Sequence, residues 1–224
     1  RQMLVNYFIR KTMMKRTLIL CLTLLAFCCV LRAQEGNTLT SDQSAMLQQI
    51  VKSSRNMNTL QCRLRQEKTS QLLSEPQVAT GKMAFKQPDN LRWEYVEPTP
   101  FVFVMHGGEM KSRTSDGKVS TLSAGSSGLG SLTSMIVSLI TGKSLADERT
   151  FGISIVPNGT VWNVRLTPKD RRMKKMFKAI ELNFDSNANV MKSIRMTEAS
   201  DEVTSITFSD LSVGKEIDEK EFVL

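Results

Sequence analysis

PDNLRWEYVEP, residues 88–98, alternates: Leu91, Trp93 and Tyr95 fall on one side of an extended chain, and Arg92, Glu94 and Val96 on the other. Successive side chains of a strand point to opposite faces, so this period of two predicts a β-strand with one apolar face. Pro88-Asp89-Asn90 supplies a turn before it and Glu97-Pro98 closes it. The two aromatics either fill a packed core or line a space kept open for an apolar ligand.

The same period recurs along the chain. Leu60, Cys62 and Leu64 alternate with Gln61, Arg63 and Arg65, and further strands are expected near 77–87, 101–106, 109–114 and 118–123. Asp116-Gly117 and Asn158-Gly159 mark tight hairpins, the second between strands at 151–157 and 161–167. Strands near 174–184, 190–198 and 203–210 complete the set. About eleven mostly antiparallel strands with short connections predict one large, strongly curved sheet or barrel. Cys62 sits on an apolar face and reads as an inert core thiol.

Two helices interrupt the pattern. Thr40 and Gln43 form a capping box ahead of Leu47, Ile50, Val51 and Ser54, which predicts an amphipathic helix over about 41–57. Later, the loose stretch SAGSSGLGS (123–131) leads into LTSMIVSLI (132–140). Leu132, Met135, Ile136, Leu139 and Ile140 share one helical face there. This apolar helix is either a plug in the core or a lid over a cavity.

Residues ahead of the first helix read as a targeting segment. Lys15-Arg16 precede the uncharged run LILCLTLLAFCCVL (18–31), and Ala33 follows as a small cleavage residue. Fourteen residues fall short of the roughly 20 that span a bilayer. The expectation is therefore export, with removal of 1–33 and a single domain over 34–224. Phe27 before Cys28 is a poor context for lipid attachment. Six of the 30 basic residues lie in 1–33, so a chain from Gln34 carries 24 basic against 22 acidic residues. The high pI then comes mainly from the leader and is not a nucleic-acid footprint. Lys169, Arg171, Arg172, Lys174 and Lys175 persist as a basic run, a solvated loop or a docking patch.

Catalytic signatures are sparse. His106 is the only histidine and sits in a turn-like HGGE. No phosphate-binding glycine loop or dinucleotide fingerprint occurs, and Glu94 and Glu97 fall on opposite sides of a regular strand. A non-enzymatic protein without cofactor or metal is expected.

The stretches GKMAFKQPDNLRWEYVEPTPFVFVMHGGEMK (81–111), VWNVRLTPKD (161–170) and VTSITFSDLSVGKEIDEKEFVL (203–224) resemble the periplasmic outer-membrane lipoprotein carriers, the LolA family. The resemblance implies an α+β fold: an incomplete antiparallel barrel with a helical lid over a hydrophobic cavity for acyl chains. Carried over by position, Leu91, Trp93 and Tyr95, with Phe101, Phe103 and Met105, would line that cavity. Leu132, Met135, Ile136, Leu139 and Ile140 would form the lid. Gln87 stands where family members commonly have an arginine that latches the lid; an amide can still bond carbonyls. The implied function is a monomeric periplasmic carrier that takes lipoproteins released from the inner membrane to the outer membrane. Its implied partners are lipoproteins, an inner-membrane lipoprotein-releasing ABC transporter and an outer-membrane receptor whose existence the sequence leaves open. The alternatives are a carrier or sensor of another amphiphile, such as a glycolipid, and a regulatory domain that binds protein segments.

Overall fold

A computed structural model of the chain describes residues 39–122, 135–147, 149–187 and 189–224. The expected leader 1–33, the glycine-serine stretch 123–131 and Leu132 lie outside the described residues. Within Leu39–Leu224, eleven antiparallel strands form one sheet in the order β6-β5-β4-β3-β2-β1-β11-β10-β9-β8-β7. They are β1 Thr59–Thr69, β2 Gln77–Lys86, β3 Asn90–Glu97, β4 Phe101–His106, β5 Glu109–Thr114, β6 Val119–Leu122, β7 Phe151–Asn158, β8 Val161–Pro168, β9 Phe177–Asp185, β10 Met191–Glu198 and β11 Val203–Val213. Every neighbour in the sheet is a neighbour in sequence, except at the centre. There β1 pairs with β11, Leu64 opposite Phe208 and Lys68 opposite Thr204. The edges, β6 and β7, do not pair with each other, so the sheet is open.

Helix α1, Ser41–Asn56, starts as its sequence predicts: the Thr40 hydroxyl accepts from the Gln43 N–H at 3.2 Å and the Gln43 side chain accepts from the Thr40 N–H at 2.9 Å. The same Gln43 amide donates to the Ile155 carbonyl of β7 at 2.9 Å, so the helix covers one sheet edge. Residues 135–140 form a second helical stretch, α2, and Arg171–Met176 form α3. The last corrects the expectation of a strand from 174. Asp170 caps this turn by accepting from the Arg172 and Met173 N–H groups, and β9 begins only at Phe177.

The period of two sets the two faces. Leu91, Trp93, Phe103, Met83 and Phe85 enter one apolar cluster with Ile50 and Leu47 of α1 and with Met135, Ile136, Leu139 and Ile140 of α2. Ala84, Val102 and Val104 point the other way, and there the C-terminal segment crosses the sheet and buries Ile217 and Phe222 against them. Lys86 and Arg92 fasten the crossing: Lys86 pairs with Glu219, and the Arg92 guanidinium donates to the Glu221 carbonyl at 3.2 Å. His106, the last residue of β4, is exposed, and its ring stacks on Phe222.

Gly81 explains how β2 and β3 come so close. A Cβ there would lie 2.0 Å from the Glu94 carbonyl oxygen, inside any van der Waals contact, at a point where the register shifts.

Candidate functional site

The site is the inner face of β1–β4 and β11 beneath the two helices. On β3, Leu91 and Trp93 are fully buried, with Trp93 1% exposed, and Phe103 of β4 lies beside them. Tyr95, Phe101 and Met105 are half-buried and pack against the same cluster. Trp93 touches rings on two sides: it stacks on Phe103 with centroids 6.1 Å apart, and meets Phe208 of β11 edge-on at 6.3 Å. All six aromatic and aliphatic positions read from the sequence are therefore brought together.

Polar groups are few and specific. The Tyr95 hydroxyl donates to Gln66 Oε1 on β1 at 2.7 Å, reaching across the β2 strand where Gly81 carries no side chain. Gln66 was not singled out by sequence reading. Its signal was present: it continues the inward series Leu60, Cys62, Leu64 with one polar residue. Burial pushes the Tyr95 phenol above its ordinary pKa, opposed by a weaker pull from the nearby Trp93 indole. The Trp93 Nε1–H itself makes no hydrogen bond of normal geometry, although it is buried. A buried indole N–H normally finds an acceptor, and leaving one unpaired is costly. Cys62, on the β1 strand, is buried and free, and burial pushes its thiol up to about 12.

Cover is provided by apolar contact. In α2, Leu139 is 0% exposed, and Met135, Ile136 and Ile140 are buried. Among the described residues, the turn and side-chain hydrogen bonds of 137–146 stay within 137–147, as in Thr141 Oγ1–H to the Val137 carbonyl at 2.9 Å. Gly142, with φ +72°, packs against α1, where its absent Cβ would meet Ser54 at 3.2 Å. Gln87 bonds the other helix: its amide donates to the Arg55 and Met57 carbonyls at 2.7 and 3.0 Å, satisfying the C-terminal end of α1.

The interior is filled by these side chains. Clefts of about 310 to 440 Å3 lie along α1, at the ends of the sheet and on its outer face, and one of about 330 Å3 reaches the inner face, where Leu60, Phe184 and Met191 meet Ile140 of α2 and the end of α1; Leu91, Trp93, Tyr95, Phe101, Phe103 and Met105 line none of these. Beside the buried Leu91, Trp93 and Phe103 a ligand must displace side chains or cover, whereas beside Ile140 a cleft is already open. No group of three or more His, Cys, Asp or Glu residues that could hold a metal occurs among the described residues. No described helix is long and apolar enough to cross a membrane.

Residues 55–224 match the family model of the outer membrane lipoprotein carrier protein LolA. Against curated protein sequences there is no significant match. Solved structures share the fold at low identity. An outer membrane lipoprotein-sorting protein domain from Vibrio parahaemolyticus is 10% identical, with a TM-score of 0.47, over 81% of this chain and 96% of that one. A LolA superfamily protein from Nitrosomonas europaea is 12% identical, with a TM-score of 0.44, over 81% and 97%. The MucA/MucB complex of Pseudomonas aeruginosa gives 12% and a TM-score of 0.50, over 82% of this chain and 61% of that one.

Proposed function

This chain belongs to the outer membrane lipoprotein carrier (LolA) family, and we propose that it is an acyl-chain carrier acting beyond the inner membrane. In this reading it takes up lipoproteins released there, shields their acyl chains from water and delivers them to the outer membrane. It binds rather than catalyses. The observation that carries the proposal is the α2 stretch. It closes an apolar inner face through side-chain contacts, with no hydrogen bond to the sheet among the described residues, and it lies in sequence between the two edge strands β6 and β7. It can therefore leave without breaking a strand ladder. Each methylene withdrawn from water is worth about 0.8 kcal/mol, so an acyl chain can replace the contacts that Met135, Ile136, Leu139 and Ile140 give up.

The unpaired Trp93 N–H fits this reading, because acyl chains reach a lipoprotein through ester and amide carbonyls that accept hydrogen bonds. An ABC transporter as donor and an outer-membrane receptor as acceptor belong to the proposal as its expected partners. The test is extraction: the protein is purified without detergent, its organic extract analysed by mass spectrometry, and co-purifying acylated proteins identified. Acylated polypeptides support the lipoprotein carrier. Glycolipid or free lipid alone points to another amphiphile. An extract without lipid, with a bound unmodified protein segment, would replace the carrier by a regulatory domain; MucB, of similar fold, forms a complex with MucA.

A further inference from the structure

We propose that the end of the sheet carrying α3 is an adsorption surface for anionic phospholipid bilayers. Five cations fall within seven residues there, Lys169, Arg171, Arg172, Lys174 and Lys175, and all are exposed. The one acid among them, Asp170, is occupied in capping α3. Arg171, Lys174 and Lys175 have no ion-pair partner among the described residues, whereas three nearby acids are engaged, Asp147 with Arg149, Asp201 with Lys178 and Glu202 with Lys68; half-buried Glu198, in the cleft wall with Lys175, is the one nearby carboxylate outside such pairs. Three unpaired cations on one short helix outnumber that carboxylate and leave a local positive field that attracts an external anion.

A bilayer fits better than an acidic protein because of what lies beside the cations. Met173 and Met176, on the inner side of α3, are half-buried against the main apolar cluster. Next to them opens a cleft of about 360 Å3 lined by Met176, Phe177, Met196 and Ala199, with Lys175 and Glu198 also in its wall. Phosphates can meet the lysines and arginines while a hydrocarbon tail enters the cleft, and a lipid surface offers both groups together. Each basic residue held near an anionic leaflet contributes favourably, and the contribution is screened by salt. The inference stands on this charge and cleft, independently of which cargo the inner face holds.

Two measurements on the full chain test it. In co-sedimentation, the protein should bind vesicles containing phosphatidylglycerol and not pure phosphatidylcholine vesicles. Replacing three residues together, Arg171→Gln, Lys174→Gln and Lys175→Gln, should weaken that binding about tenfold or more, with unchanged thermal unfolding and unchanged binding of an acylated peptide. In acetylation footprinting on the same vesicles, Lys174 and Lys175 should lose reactivity severalfold, while exposed lysines elsewhere, Lys82 and Lys118, keep theirs. The footprint reads α3 itself, so adsorption through any other basic segment cannot imitate it. Absence of vesicle binding, full reactivity of Lys174 and Lys175 on the vesicles, or equal protection by polyglutamate would each overturn the proposal; the last would favour an acidic protein. Failure of acylated-peptide binding with the footprint intact would remove the carrier reading alone.

Discussion

Cys62 and Trp93 are single residues whose environments make opposite demands. The thiol is buried among apolar side chains and held protonated, with its pKa pushed from 9.0 to about 12. Native protein at pH 8 should therefore react with a thiol reagent far more slowly than unfolded protein, once the background of a Cys62→Ala variant is subtracted. Equal rates would place Cys62 outside the core. The sign of the pH effect follows. The folded pKa is raised, so this contribution to stability is complete below about pH 9 and is eroded as pH rises toward 12, because the unfolded thiol ionises first. Trp93, by contrast, offers a buried donor that makes no hydrogen bond of normal geometry. In a Trp162→Phe background, its fluorescence should shift when an acyl-chain amphiphile is added. A spectrum unchanged at saturating ligand would make Trp93 ordinary core.

At the scale of elements, the α2 stretch is the part that tells a lid from a plug. Ile136 is buried, so Ile136→Glu in a permanently packed plug should cost several kcal/mol of stability. In a lid, the helix can lift and hydrate the carboxylate, so thermal unfolding should suffer less than affinity for an acylated peptide. Unchanged affinity per folded molecule, with a collapsed melting temperature, would end the lid reading. The β2–β3 pair makes a different prediction. Gly81→Ala places a methyl group against the Glu94 carbonyl, and the strain should cost about 1–3 kcal/mol, read as a lower midpoint in urea. These elements also show what the sequence disclosed. The period of two located the strands, the capping box located α1, and the alternation at 91–95 assigned the correct residues to the inner face. Alternation gives a direction and no distance, so it could not tell an open cavity from one filled by Phe103, Phe208 and α2. The sequence of 174–176 suits the start of a strand as well as a helix, because Met173 and Met176 are compatible with either local geometry; the Asp170 cap decides for the helix. Gln87, expected at a latch on the lid, bonds two carbonyls at the C-terminal end of α1, a non-local pairing that spacing cannot reveal.

The scale of the whole folded unit belongs to its C-terminal residues and its central seam. Ile217 and Phe222 seal the outer face over Ala84, Val102 and Val104, and Phe222 is 1% exposed. Phe222→Ala should cost about 3–5 kcal/mol, although the residue lies far from the inner face, and acyl binding per folded molecule should not change. Thermal unfolding and a binding isotherm on one sample check both halves of that statement. The seam is the pairing of β1 with β11, which brings the first and last strands together in the middle of the sheet and leaves the mid-chain strands β6 and β7 at its edges. Two meanders, β1–β6 and β7–β11, can each form from local hairpins, and β1 with β11 is the one strand pairing between them. A chain that ends at Ser200 should therefore give two unjoined halves in amide exchange, with the slow-exchanging β1–β11 ladder missing. For a polypeptide synthesised or threaded through a pore from its N-terminus, this arrangement acts as a delay. The sheet cannot be completed until the last strand has emerged, so the chain remains without its joined fold for the whole of its passage.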